Sequence, residues 1–203
     1  MLKIYHVPGT RSVRVIWLCE ELDLDYEVIA VDFSQAFRAS PEWRARNPVG
    51  KVPVLEDGAL TMFKSGAMVQ YLLDRYGNGA LQPPRGTQEH ALFLQWCWFA
   101  EATWARPLGE IVNHRRALPE AAQSAAAIRE MQDRANLCAQ AVDQALAGRS
   151  YLLGDSFTAA DVMTGYTVML AKQLVPEPLP DRLDAYWQRL SARPAFQIAT
   201  ARS

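Results

Sequence analysis

Ten residues at 77–86, Gly-Asn-Gly-Ala-Leu-Gln-Pro-Pro-Arg-Gly, cannot carry a helix through, and they cut the chain into two halves of different kind. Glycine weakens a helix and proline removes a backbone donor, so such a run reads as a linker. Before it, short β-rich stretches interleave with runs of helical spacing; after it, only helical spacing occurs. Residues 2–5 read as a strand, 13–22 as a helix with Val13, Ile16, Trp17 and Cys19 at helical spacing, and 26–31 as a second strand. That order gives a strand-helix-strand unit whose strands run parallel. A short helix is expected near 41–46, strands over 52–56 and 59–63 flank the hairpin signal Asp57-Gly58, and a helix over 65–76 closes the half. The fold class is α/β plus all-α: a first domain over 1–78, a linker over 79–87, and an all-helical C-terminal bundle over 88–203. Its helices are expected over 89–104, 108–116, 119–146, 158–175 and 181–192. Phe157-Thr158-Ala159-Ala160-Asp161-Val162 carries a capping box, with Thr158 as N-cap and Asp161 at the third helical position.

Two places in the first half suggest a ligand. Pro53 stands just before an apolar strand, where a proline is tolerated only at an edge, a first position or a tight turn. The Val52-Pro53 bond can be cis there, which would leave the N–H and C=O of Val52 open to the backbone of a peptide-like ligand. Ser65 opens the helix that carries Ala67, Met68, Tyr71 and Leu72, so its hydroxyl and the unpaired N–H groups of the first turn form a site for a carboxylate.

The same residues carry a family resemblance. Asn47-Pro48-Val49-Gly50-Lys51-Val52-Pro53-Val54-Leu55, then Ser65-Gly66-Ala67 and Tyr71-Leu72, resemble the glutathione-binding half of cytosolic glutathione transferases. The resemblance extends through Tyr5-His6-Val7-Pro8-Gly9-Thr10-Arg11-Ser12-Val13-Arg14, Trp17-Leu18-Cys19-Glu20-Glu21-Leu22 and the stretch from Leu153 to Asp161. It implies a thioredoxin-like first domain, glutathione as co-substrate, and a homodimer. It also implies transfer of glutathione to a small hydrophobic electrophile. Isomerisation, peroxide reduction, or a non-catalytic binding role on the same fold are the alternatives.

Glutathione chemistry needs a thiolate, whereas a free thiol titrates near 8.5. A hydroxyl donor at the positive end of a helix lowers that value. Thr10 and Ser12 lie between the first strand and the helix beginning near residue 13, and either also reads as an ordinary N-cap. The segment resembles a serine-type bacterial and fungal subgroup with Ser-Arg-Ser-x-Arg, in which Thr10 stands where the first serine would be. Ser12 is the second candidate. Tyr5 falls within the strand, early for that role. The loop has no cysteine, which disfavours mixed-disulfide catalysis. Lys51, Val52, Pro53, Lys64 and Ser65 are the expected glutathione contacts. Lys64 departs from the acidic or amide residue common there, and its charge opposes the ligand's ammonium. The acceptor pocket is expected between the domains, with Trp104 and Arg106 exposed beside Pro107, while Trp96, Trp98 and Phe99 read as core.

Composition narrows the remaining classes. Lysine plus arginine number 21 against 22 aspartate plus glutamate, so the net charge of -1 offers nothing to a nucleic acid or an anionic membrane. No run approaches the ~18 apolar residues of a membrane span, and the start lacks a signal-peptide core, so a cytoplasmic location is expected. Cys19, Cys97 and Cys138 stand far apart, and His90 and His114 have no partner at ligand spacing, so no metal is expected.

Overall fold

The computed structural model describes residues 1–202 and divides the chain into two compact units, Met1–Leu81 with Ala192–Ser203, and Gln82–Ser191. In the first unit the elements are β1 (Leu2–His6), α1 (Ser12–Glu21), β2 (Tyr26–Ala30), α2 (Gln35–Ala39), α3 (Pro41–Arg46), β3 (Val54–Asp57), β4 (Leu60–Phe63) and α4 (Ser65–Tyr76). The strands form one mixed sheet in the order β2-β1-β3-β4. β1 runs parallel to β2 from Leu2↔Tyr26 to His6↔Ala30, as the crossover requires, and antiparallel to β3 with Tyr5 opposite Val54. Alternation along β1 buries Leu2, Ile4 and His6 on one face and leaves Lys3 and Tyr5 on the other.

Around the hairpin the boundaries differ from the sequence expectation. β3 begins at Val54, not at residue 52, because Pro53 has no N–H for the ladder; the Val52–Pro53 bond is cis. The hairpin loop is Gly58-Ala59, since Asp57 still pairs with Leu60 and Gly58 supplies the positive φ of +59°. The loop ahead of β3 is held from within by Asn47, whose Nδ2 donates to the Lys51 carbonyl at 2.7 Å and whose Oδ1 accepts from the Val49 N–H at 3.2 Å.

The second unit is helical. It contains α5 (Gln88–Trp98), a π-helical stretch Phe99–Trp104, α6 (Ala105–Ala117), a 3-10 turn Glu120–Ala122, α7 (Ala125–Ala145), α8 (Ala159–Leu174) and α9 (Asp181–Ser191). The wide turns, where the Ala105 N–H donates to the Ala100 carbonyl, precede Pro107, which has no N–H for Thr103 and would crowd that carbonyl. The single helix expected over 119–146 starts only after Ser124, whose hydroxyl caps the Ala127 N–H at 3.2 Å. α8 is buried along most of its length and begins at the expected capping box.

A short helix, α10 (Pro194–Ala201), returns to the first unit. Phe196 packs edge-on against the buried Trp17 with centroids 4.8 Å apart, and Arg193 grips Glu21 through two bonds of 2.6 and 2.7 Å. The segment is helical as expected, but residues 192–202 group with the first unit and share the core of α1, not that of the helical bundle. Among the described residues no helix is long and apolar enough to cross a membrane.

Candidate active site

The loop between β1 and α1 carries a chain of polar contacts. Thr10 Oγ1 donates to the Val7 carbonyl at 2.7 Å and lies 2.7 Å from Ser12 Oγ, which in turn lies 2.7 Å from His6 Nδ1. The other ring nitrogen, His6 Nε2, is 3.2 Å from the Arg202 carbonyl just beyond α10. His6 and Ser12 are fully buried, while Thr10 is partly exposed. Burial pushes the His6 imidazole below its ordinary value, so the ring is neutral at neutral pH.

This geometry separates the two hydroxyl candidates. Ser12 is the first residue of α1, sealed behind the loop, whereas Thr10 keeps an open side. Two N–H groups at the start of α1 are already used: Val13 donates to the Thr10 carbonyl at 3.1 Å and Arg14 to the Arg11 carbonyl at 3.3 Å. Tyr5 lies on the opposite face of β1, edge-on to Trp43 with the Arg46 guanidinium over its ring. Burial and the Glu56 carboxylate push its phenol up, the wrong direction for an acid or anion donor.

Ser65 is the first residue of α4 and is buried. The fully buried Arg14, two residues beyond Ser12, reaches it with Nη1 3.4 Å from Ser65 Oγ. One arginine thus ties the start of α1 to the start of α4. Lys64 precedes the helix with φ at +81°, a conformation that a side-chain-bearing residue rarely adopts, and it is exposed. Lys51 is exposed and Val52 half-buried, both beyond the end of the ladder. A surface depression lined by Met1, Leu2, Leu24, Asp25, Tyr26 and Tyr76 lies at the far end of β1 from Thr10 and holds none of these candidates.

In the second unit the exposures expected of Trp98 and Trp104 are reversed. Trp104 is fully buried, because the π-helical stretch turns it into the core next to Ala105 and Leu108, whereas Trp98 is 66% exposed. Arg106 is exposed and paired with Glu110 at 3.1 Å, one turn along α6. Two of the protein's own thiols are held away from the thiolate form: burial pushes Cys19 up to about 12 and raises Cys138 as well. Among the described residues no three histidine, cysteine or carboxylate side chains gather as a metal would need.

Sequence reasoning did not single out His6. The signal was present: strand alternation places it on the buried face with Leu2 and Ile4, and a buried polar side chain must find partners.

Residues 1–74 match the glutathione S-transferase N-terminal domain family and residues 107–194 the C-terminal domain family. Glutathione S-transferase 4 of Zea mays is 31% identical over 90% of this chain and 83% of its own length. Glutathione S-transferase 3 of Schizosaccharomyces pombe is 27% identical over 98% of this chain and 86% of its own. Among solved structures, the theta class glutathione S-transferase of Xanthomonas axonopodis pv. citri, determined with glutathione bound, superimposes with a TM-score of 0.83. It is 31% identical and covers all of this chain and 98% of that one.

Proposed function

The chain belongs to the glutathione S-transferase family and is a glutathione transferase, and we propose that its first unit both holds the tripeptide and activates its thiol. Ser65 and the first N–H groups of α4 take a carboxylate of glutathione, and the backbone of Val52 pairs with the peptide, flanked by Lys51 and Pro53. Thr10 donates its hydroxyl proton to the sulfur, as the first serine of the serine-type loop would. Ser12 stands behind it. Binding energy spent on the tripeptide positions the sulfur for attack on a small hydrophobic electrophile. Arg106 remains an acceptor-side candidate, whereas the fully buried Trp104 does not, and Lys64 lowers affinity for the ligand's ammonium end. The reading extends to a cytoplasmic homodimer on family grounds.

The observation that carries the assignment is the buried Arg14 contact, which joins the hydroxyl loop to Ser65. Two helix starts are thereby fixed to one another, one suited to an anion and the other offering a hydroxyl. Calorimetric titration with glutathione tests it. Ser65→Ala should weaken binding about tenfold, the loss of one hydrogen bond to a charged group. Thr10→Val should leave binding near that of the parent while the bound thiol titrates back toward about 8.5. Absence of binding heat at millimolar glutathione sinks the reading.

A further inference from the structure

We propose that His6 is the proton acceptor for the glutathione thiol, acting through Ser12 and Thr10 as a two-hydroxyl relay, with the Arg202 carbonyl holding the ring in the required tautomer. The inference rests on the reading of Thr10 as the sulfur contact.

Proton counting along the chain of contacts leads to it. The Arg202 carbonyl can only accept, so the 3.2 Å contact requires the proton on Nε2. A neutral ring then has a bare Nδ1, and the one donor within reach at 2.7 Å is the Ser12 hydroxyl. The single proton of Ser12 is thereby directed inward, the 3.3 Å bond to the Val7 carbonyl being its longer and weaker branch. Ser12 Oγ is left as an acceptor facing Thr10 at 2.7 Å. The Thr10 proton rests on the Val7 carbonyl and is the one that can turn to Ser12 Oγ, which lies equally near at 2.7 Å.

A thiol arriving at the open side of Thr10 completes a line of donors that all point inward. The transfer is one concerted shift. The S–H proton passes to Thr10 Oγ1, the Thr10 proton to Ser12 Oγ, and the Ser12 proton to His6 Nδ1. One S–H bond is broken and one N–H bond formed, both hydroxyls are regenerated, and no co-reactant is consumed. Every donor then points outward: Nδ1–H to Ser12, Ser12 to Thr10, Thr10 to the thiolate. The imidazolium donates from both nitrogens, to Ser12 and to the Arg202 carbonyl.

An ordinary thiol is a weaker acid than an ordinary imidazolium by about two powers of ten, and burial of the His6 ring widens that gap, so the shift depends on what stabilises the product. The thiolate meets the Thr10 proton and the positive end of α1, and the imidazolium lies within the same low-dielectric loop, so each charge favours the other. Charged and titratable side chains on the elements packed around His6 are engaged away from its ring. Glu20 of α1 accepts from Tyr26 of β2 and from Arg202 at 3.4 Å, Glu21 is held by Arg193, and Arg14 reaches Ser65. Tyr5 and Glu56, on the other face of the sheet, lie with Arg46. His6 is therefore a positioning residue for Thr10 that also stores the proton.

Nitrogen-15 NMR of the histidine rings in the intact protein reads the proton directly. On adding glutathione, His6 should change from one protonated nitrogen to two, in step with the ultraviolet absorbance of bound thiolate. S-methylglutathione, which has no thiol proton, should bind and leave the ring neutral. A ring that stays neutral while thiolate forms overturns the proposal. In His6→Asn the amide can still bond to Ser12 but cannot store a proton. Calorimetry in buffers of different ionisation enthalpy should then count about one proton released per thiolate formed, against well under one in the parent, and the thiolate fraction near neutral pH should fall about tenfold, one unit in the thiol's titration. An unchanged proton count and unchanged fraction in the variant also overturn it. Failure of the parent to bind glutathione at all defeats the transferase site instead, so the two failures are distinguishable.

Discussion

Gly50 shows how a single residue holds the ligand loop. Its φ is +60°, and a Cβ built on it would stand 2.4 Å from the Arg38 carbonyl oxygen, which is backbone and cannot swing away. Arg38 Nε in turn donates to the Gly50 carbonyl at 3.0 Å, so loop and helix fix one another. Gly50→Ala meets both the left-handed backbone and the clash, and should destabilise the first unit by about 2–4 kcal/mol. Denaturant unfolding followed by tryptophan fluorescence checks this; a change below the ordinary scatter of surface substitutions would show that the loop moves freely. The glycine was legible in the Asn-Pro-x-Gly motif, as were Ser65 and the Thr10/Ser12 pair, because each stands at a place where backbone groups need a partner or a turn. His6 was not, since a lone histidine in a strand has no signature until its two ring nitrogens are seen to have opposite partners.

At the scale of elements, local signals decided most of what could be read. The capping box of α8 is the clearest: Asp161 sits at the third position and takes four donors. Its Oδ2 accepts from the Thr158 N–H at 2.8 Å and hydroxyl at 3.0 Å, and its Oδ1 from the Leu152 N–H at 3.1 Å and the Tyr186 hydroxyl at 2.8 Å. Burial alone pushes this carboxyl up, but four donors are complementary to the acceptor-only carboxylate. Asp161→Ala should remove about 3–5 kcal/mol from the second unit, because it strands buried donors rather than exchanging one bond with water. Asp161→Asn should recover only part, since its amide group turns a donor toward two others. Equal midpoints for the two variants in chemical denaturation would refute the account. The sequence showed this cap outright, yet the same style of reading ran 119–146 together as one helix and passed over α2. Five residues without a buried side chain give no periodicity to detect, and Pro119 followed by a 3-10 turn does not break the apolar spacing that continues through α7. The π-helical stretch escaped for the same reason. A shift of one residue in hydrogen bonding moves Trp104 inward without altering the composition of the segment.

For the molecule as a whole, the feature least visible in the sequence is the return of residues 192–202 to the first unit. Periodicity shows that a segment is helical and which face is apolar, but not which surface more than a hundred residues away will cover it. Trp17 is fully buried, and Phe196, itself only 6% exposed, is one of the side chains that cover it. Glu21 depends on Arg193, and the His6 tautomer on the Arg202 carbonyl. Every proposed glutathione contact precedes residue 82, yet the site they form is completed by a segment that carries none of them. Ending the chain at Ser191 should therefore abolish glutathione binding while leaving the second unit's helices intact. Phe196→Ala, which keeps the Arg202 contact within reach, should lower the stability of the first unit by about 3 kcal/mol with binding retained in the folded fraction. Hydrogen exchange resolved by unit makes the distinction: loss of protection over residues 1–81 with protection kept in α7 and α8 is the expected pattern. Uniform loss in both units would mean that they fold as one, and undiminished protection of α1 would mean that the tail is only an ornament on a self-sufficient sheet.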